Sequence, residues 1–461
     1  MNCRTHYHFD FSLPGQIAWK WRGHDKGLAI PEEPVLFQLN DDSLALGLMS
    51  AVDPLLADLL NIAVSVHMAD RLALKERYVA GQSIRCHRVF DLILAVDDCK
   101  LWGDEQVQQK LRRLLGFLSQ DTWNFRFVRR HERRRSEAQR VLFSGKDFRA
   151  CEVALFSGGL DSLAGTAIQM ANSPNKPFIA VSASPTNIHF GRQRRQFRIV
   201  ANALSSPGTH ITFKYCMRGG SKSLQEPSRR TRGFAFLVLG AVTSLAAGVD
   251  QLTVHENGFG AINLPYDSSL LGVDLTRAMH PTTLRDFSEL ISFAFAKPFL
   301  VRNDCVFSTK AEMCRAPAAS SAASAITDTF SCDRLTRSGH HCGYCTSCLL
   351  RQLALENAGL QAFDHDRYLI RLTDPLAHPK PHHLHGLAAM SWQAARLRNC
   401  FKEKCSWHAL LSEFPELQIA AACLAKDFEN VTARLSAVYR QHVDEWFHFS
   451  ALHQLPTKSA A

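Results

Sequence analysis

Between Cys151 and about Leu360, short apolar runs alternate with stretches of helical spacing. CEVALF is followed by LAGTAIQMA, PFIAVSASP by GRQRRQFRIVANAL and THITFKY by FAFLVLGAVTSLAA, and QLTVHENG closes the series. Four strands separated by helices of this length predict parallel pairing, because parallel neighbours need a long crossover and not a tight turn. The expected fold class is α/β with a doubly wound parallel sheet, in which ligands bind beyond the carboxyl ends of the strands. The longest apolar run, Phe234 to Val249, is 16 residues with two internal glycines. That is short for a membrane span and predicts a buried helix.

At 461 residues the chain exceeds what one hydrophobic core usually supports. Residues 1–148 read as a mixed α/β domain: Leu55, Leu59, Ile62 and Val66 recur at helical spacing, RCHRVFDLILAV and DTWNFRFVRR look like strands, and QVQQKLRRLLGFLS is an amphipathic helix. Residues 149–360 hold the alternating pattern, and 361–461 turn helical. There Leu417, Ala421, Leu424, Phe428, Val431, Leu435 and Val438 form a seam that predicts a packed helix, within the chain by default and against a partner as the alternative. The stretch from Ala316 to Ala325, APAASSAASA, reads as a flexible loop. The net charge of +10 favours polyanionic partners without choosing among nucleotides, nucleic acid and acidic protein surfaces. The opening MNCRTHYHFDFSLPG lacks a charged-then-apolar signal pattern, and 14 cysteines without one imply a reducing compartment. A cytoplasmic protein with no membrane partner is expected.

VALFSGGLDSL, from Val153 to Leu163, places a glycine pair between the first strand and the first helix. Such a turn gathers backbone N–H groups and the positive end of a helix dipole around an anion. Gly158 and Gly159 let the backbone approach phosphates, and Ser157 and Ser162 supply hydroxyls. The common phosphate loop GxxxxGK[ST] is absent. Further on, Cys332 is followed after nine residues by Cys342, Cys345 and Cys348 in a C-x2-C-x2-C array. Four thiolates complete a tetrahedral Zn²⁺ and leave no open position, which reads as a structural zinc. Replacement of one cysteine by His340 or His341 stays open at this point.

SGGxDS after a strand resembles the PP-loop of the N-type ATP pyrophosphatases. Thr329, Ser331, Cys332, Cys342, Gly343, Cys345, Cys348 and Arg351 match the TxSC and CGxCxxCxxR pattern of the QueC family, the 7-cyano-7-deazaguanine synthases. RGFAFL from Arg232 and STKAEM from Ser308 resemble two further family segments. The resemblance spans about Cys151 to Leu360 and implies a HUP-like sheet, ATP, Mg²⁺ and Zn²⁺. It implies that Ser157, Gly158, Gly159, Asp161 and Ser162 grip a departing pyrophosphate, with Asp161 helping to position Mg²⁺. Positive charge beside the developing phosphates lowers the barrier, and Arg232 and Lys310 are candidates for that role.

The chain departs from the family in about 145 additional residues before the loop and about 100 after the cysteines. Gly233 also stands where the family has asparagine, and the ENGFGAINLPYD loop is unlike the family's, with Asn257, Tyr266 and Asp267 as candidate lining. The enlarged plan is similar to the QueC-like subunits of anti-phage defence operons, above all QatC. That similarity implies a QatB-like partner protein of the operon, with 7-carboxy-7-deazaguanine as the small-molecule substrate. A metabolic nitrile synthase, a PP-loop tRNA-modifying enzyme and a non-catalytic ATP-binding assembly subunit are the alternatives. Arg285 is a weaker candidate for the site. The basic run Arg229–Arg232 abuts the expected site, while Arg129–Arg135 reads as a solvated helix face or a surface for an acidic partner or nucleic acid, the latter otherwise unsupported. The histidines His378, His382, His383 and His385 read as an exposed loop.

Overall fold

The computed structural model describes residues 4–13, 16–22, 35–40, 44, 52–79, 82–131, 150–184, 187–218, 226, 230–266, 276–333, 339–364, 368–374, 376–403, 406–425 and 427–455. The N-terminal part contains β1 (Arg4–Phe11), β2 (Gln16–Arg22), β3 (Val35–Asn40), α1 (Pro54–Leu72), β4 (Glu76–Val79), β5 (Gln82–Arg85), β6 (His87–Val96), α2 (Glu105–Ser119) and β7 (Thr122–Arg129). Next come β8 (Glu152–Leu155), α3 (Leu160–Asn172), β9 (Phe178–Ser184), α4 (Asn187–Ala203), β10 (Gly208–Arg218), α5 (Arg232–Ala246), β11 (Gln251–Thr253), α6 (Pro281–Ala294) and β12 (Leu300–Arg302). The remaining helices used below are α7 (Lys310–Arg315), α8 (Thr346–Asn357), α9 (His385–Cys400), α10 (Glu416–Leu424) and α11 (Phe428–Leu452).

Among the described residues, ten strands form one sheet in the order β12-β11-β8-β9-β10-β3-β2-β1-β6-β7. The first five pair in parallel, as the alternating pattern predicts. β8 is buried along its whole length, which suits a continuous apolar run covered on both faces. The chain builds outward from β8 through β9 to β10, then returns to build β11 and β12 on the opposite side. The winding therefore reverses between β8 and β11, and the loops leaving their carboxyl ends face a common crevice. α5, the run read as a buried helix, packs on β8, β9 and β11 and also on α1. Among the described residues no helix is long and apolar enough to cross a membrane.

The N-terminal strands continue this sheet: β10 pairs antiparallel with β3, β3 with β2 and β2 with β1, while β1, β6 and β7 run parallel. One apolar core joins Trp19, Leu59, Phe90 and Trp123 to Val153, Ile179, Phe213 and Leu237. Its polar counterpart centres on Arg88 of β6, which has no exposed surface. Arg88 pairs with Asp70 at 2.8 Å and Asp121 at 2.6 Å, and donates to the Ala73 carbonyl at 2.7 Å. The other Asp70 oxygen accepts from the backbone N–H and the hydroxyl of Thr231, at 3.0 and 2.9 Å, just ahead of α5. Burial alone would raise the Asp70 carboxyl, but Arg88 and the Thr231 N–H outweigh it and hold the group below the usual carboxylate range.

Two expectations are corrected. The Ala316–Ala325 stretch is not a flexible loop: it forms the helical turns Pro317–Ser321 and Ala323–Asp328, with Ala319, Ala322, Ala323 and Ala325 buried. Alanine carries little side-chain entropy and allows close backbone packing, so a low-complexity run can be core. The C-terminal seam is two helices, α10 and α11, with Asp427 capping the second through Asn430 N–H at 3.3 Å. Leu417, Ala421, Val431, Leu435 and Val438 are buried within the chain, as the seam predicts. Replacing Arg88 with alanine leaves buried Asp70 without its cation and Asp121 with only Lys75, 3.4 Å away, so a loss of about 3–5 kcal/mol is expected. Arg88→Lys should restore only part of it, because one ammonium cannot reproduce the guanidinium fork. An unchanged urea midpoint for Arg88→Ala would show that the network is dispensable.

Candidate functional site

Ser157 to Ser162 wrap around the hydroxyl of Ser162. That oxygen accepts from Ser157 Oγ and from the Gly158 N–H, both at 3.1 Å, and donates to the Gly159 carbonyl at 2.9 Å. Gly158 has φ +84°, and a Cβ there would lie 2.6 Å from the Phe330 ring, so both the turn and the close approach require glycine. Gly159 starts α3 with no side-chain cap, leaving the first-turn N–H groups uncapped and aimed where an anion would sit. Gln193 and Gln196 of α4 tie the loop from outside, donating to the carbonyls of Ser157 at 2.8 Å and Gly158 at 3.2 Å.

Asp161, in the first turn of α3, meets groups from two other loops. Lys310 Nζ lies 2.6 Å from Oδ2, and Asn257 Nδ2 donates to Oδ1 at 3.0 Å. Asn257 Nδ2 also donates to Glu256 Oε1 at 3.2 Å, and Asn303 holds the Glu256 backbone by accepting from its N–H at 3.3 Å and donating to its carbonyl at 2.8 Å. Burial pulls Lys310 down, yet Asp161 and Glu256 outweigh that and keep it above the usual lysine range. Burial, and after it the Asp161 charge, pushes Glu256 up to about 8, with Lys310 pulling it back. The result is a carboxylate, an ammonium and a carboxyl of near-neutral pKa in one crevice at the winding reversal.

The C-terminal helix supports this arrangement from behind. Thr309 and Glu312 form a capping box on α7, with N–H to oxygen distances of 2.7 and 3.2 Å, which sets the direction of Lys310. The Thr309 hydroxyl then donates to Glu445 of α11 at 2.8 Å. His442 of the same helix stacks on Phe259 at 3.7 Å between ring centroids, steadying the turn that follows Asn257.

The four cysteines converge, with all Sγ atoms within 4.8 Å of one another and Cys342 and Cys348 at 3.9 Å. Sulfurs bound tetrahedrally at about 2.3 Å stand roughly 3.8 Å apart, so the set fits Zn²⁺. His341 is engaged elsewhere: its Nε2 accepts from the Ser331 N–H at 3.0 Å, and among the described residues the metal-competent cluster contains cysteines alone. Gly343 has φ +86°, and a Cβ there would overlap the Ile370 carbonyl. Arg351, fully buried, closes the segment by donating to Thr329 and pairing with Asp364 at 3.0 Å.

The other candidates separate. Arg232 is exposed at the start of α5, 5.4 Å from the Phe236 ring centroid. Tyr266 packs against Phe259 at 6.2 Å. Arg285 does not reach the site: it pairs with the adjoining Asp286 at 3.0 Å and faces Glu289, one turn on, at 3.8 Å, so carboxylates of its own helix take its charge. His383 is buried on Tyr344 at 4.3 Å, so the histidine stretch is not wholly an exposed loop. Asp267, Arg229 and residues 132–135 of the basic run lie outside the described residues. Glu256 was not among the sequence candidates; the available signal was an acidic residue beside asparagine just after the fourth strand.

Purified protein should carry about one equivalent of zinc, lost in Cys345→Ser, by colorimetric release after thiol modification; equal zinc in both proteins would exclude this cluster. A second expectation concerns pH. Folded Glu256 keeps a proton that an unfolded glutamate gives up between its ordinary 4.5 and about 8, so its contribution to stability falls as pH rises through that window. Melting temperatures of the wild type should therefore decline relative to Glu256→Gln from pH 5 to 8, whereas parallel curves would mean an ordinary carboxylate.

No curated protein matches the chain. Residues 279–359 match the family model of the queuosine biosynthesis protein QueC. That segment holds Lys310, the four cysteines and Arg351, while the glycine loop and Asn257 precede it. The chain thus contains a segment similar to QueC, and that segment supplies Lys310 to the crevice.

Proposed function

We propose that the chain is a QueC-like enzyme of anti-phage defence, similar to QatC, which adenylates the carboxylate of a 7-deazaguanine and passes the acyl group to an amine on a QatB-like partner protein. The observation that carries this reading is the junction of Asp161, Lys310 and Asn257 beside an uncapped glycine loop. A carboxylate oxygen of 7-carboxy-7-deazaguanine would attack the α-phosphorus of ATP as the bond from that phosphorus to the bridging oxygen breaks. Pyrophosphate leaves along Ser157–Ser162. The amine then attacks the acyl carbon, loses a proton and expels AMP.

Lys310 has three donors, so it can keep Asp161 and still offer a proton to a phosphate oxygen. Each Asp161 oxygen likewise retains a lone pair beside its present partner, which suits a hard cation carried with the triphosphate. Mg²⁺ held there would neutralise phosphate charge. Arg232 adds positive charge from α5. Glu256 is suited to take the amine proton, since a base near neutrality is most efficient there. The units on either side of the QueC-like portion favour the defence assignment over a compact metabolic enzyme. The thiolation alternative finds no support at Cys305 and Cys314: burial, and then Asp161, push both thiols up to about 12, leaving no thiolate at neutral pH.

The test is incubation with Mg-ATP and 7-carboxy-7-deazaguanine, with and without partner protein, resolving AMP from ADP and weighing the partner by intact mass spectrometry. AMP, pyrophosphate and a deazaguanine mass on the partner are expected, all abolished by Asp161→Ala. AMP with a free nitrile would return the protein to metabolism. ADP, or ATP binding without turnover, would defeat the adenylation mechanism.

A further inference from the structure

Strands β1, β6 and β7 run parallel, and β2 joins β1 from the other side. Helices α1 and α2 pack on one face of these four strands, where Tyr7, Phe9, Phe90, Leu92 and Trp123 are buried. Parallel strands occur almost only with both faces covered. Here the opposite face is open: Arg4, His6, Lys20, Arg22, Asn124 and Arg126 are all exposed. Strand register sets its side chains in rows. Lys20, His8, Asp91 and Asn124 form one, Arg22, His6, Val89 and Thr122 the next, and Asp10, Ile93 and Arg126 a third, while Arg4 stands opposite His87. Neighbouring strands lie about 4.8 Å apart and successive rows about 7 Å, so Arg4, Lys20, Arg22 and Arg126 share one surface about 15 Å wide. The two acids in these rows are engaged. Asp91 Oδ2 lies 3.1 Å from His8 Nδ1 and its Oδ1 accepts from Asn124 at 2.8 Å, and Asp10 accepts from the Ser12 N–H at 2.8 Å.

The apolar residues in these rows, Val89 and Ile93, are half-buried, and among the described residues of the four strands no Phe, Tyr or Trp points to this side. A protein partner is held by a desolvated apolar centre with aromatic anchors, which this face lacks. Nucleic-acid interfaces are polar and strongly positive. We infer that the open face of β2, β1, β6 and β7 is a docking surface for a nucleic-acid duplex, held through its phosphates. Without a ring for bases to stack on, a single strand offers only its phosphates, and a duplex carries these more densely, one per about 1.7 Å of its axis. Phosphate contacts read no base sequence, so binding at this surface is general. The surface is independent of the chemistry proposed for the crevice.

Fluorescence anisotropy of a labelled DNA duplex, titrated with the full chain at several salt concentrations, tests this. The wild type should bind with a Kd of about 1–100 µM near physiological salt, and log K should fall against log salt with a slope of about −3 to −4, as four cations require. Lys20→Ala with Arg22→Ala should weaken binding about 10-fold or more and flatten the slope by about 2. Arg4→Ala with Arg126→Ala should do the same, and carries the test if the first pair does not fold. One strand of the duplex alone should bind more weakly, and tighter binding of that strand would overturn the duplex. Unchanged affinity and slope in both double variants, with binding lost in Arg194→Ala with Arg198→Ala on the exposed side of α4, would place the duplex elsewhere and overturn the surface. Binding of polyglutamate in preference to DNA would make the partner an acidic protein, and no binding of DNA to the wild type would leave a solvated face; either result overturns the inference.

Discussion

The ion pair between Lys310 and Asp161 closes the crevice at which the sheet reverses its winding. Withdrawing two charges from water costs several kcal/mol per ion, and the pairing recovers this only when geometry and the remaining hydrogen bonds are good. Here the pair unites the loop after β8 with the segment after β12, and Asn257, after β11, supplies the third contact. The three segments can meet only if β11 lies beside β8 with β12 outside it, which is the observed order. The pair that closes this junction of the sheet is therefore also the pair on which the proposed phosphate chemistry depends.

The cysteine cluster acts on this crevice through the backbone. Phe330 is hydrogen-bonded to Gly158 and covers it, and Cys332 stands two residues further along. Arg351 then returns from the last cysteine's helix to Thr329. Four thiolates would leave a bound zinc no vacant position for catalysis, and its contribution would be to hold Phe330 against the loop. On the other flank α11 reaches the start of α7 through Glu445 and Thr309. The C-terminal extension is thereby part of the support of Lys310.

The N-terminal unit solves a different problem. A five-stranded parallel sheet ending at β10 would leave that strand's N–H and C=O groups open to pairing with another chain. β3 covers it, and the sheet continues to β7. Arg88 and Asp70 extend the union into the polar interior and end at Thr231, one residue before Arg232. The start of α5 is thus set by a residue of α1.

The alternation from Cys151 onward made β8 to β11 and their helices legible, because strands buried on both faces are continuous apolar runs whose length separates them from helices. β12 escaped notice, since the three residues Leu300–Arg302 carry no periodicity of their own. The alanine-rich stretch was misread because composition does not report burial, and Arg285 because helical neighbours, not the site, took its charge. The glycine loop and the cysteine spacing are local patterns, visible in a one-dimensional chain because their partners lie within a few residues. The meeting of Asp161 with Lys310, the near-neutral ionisation of Glu256 and the extension of the sheet by β3 belong to the tertiary structure. They depend on which distant groups are buried together, and strand order and desolvation have no signature in local sequence.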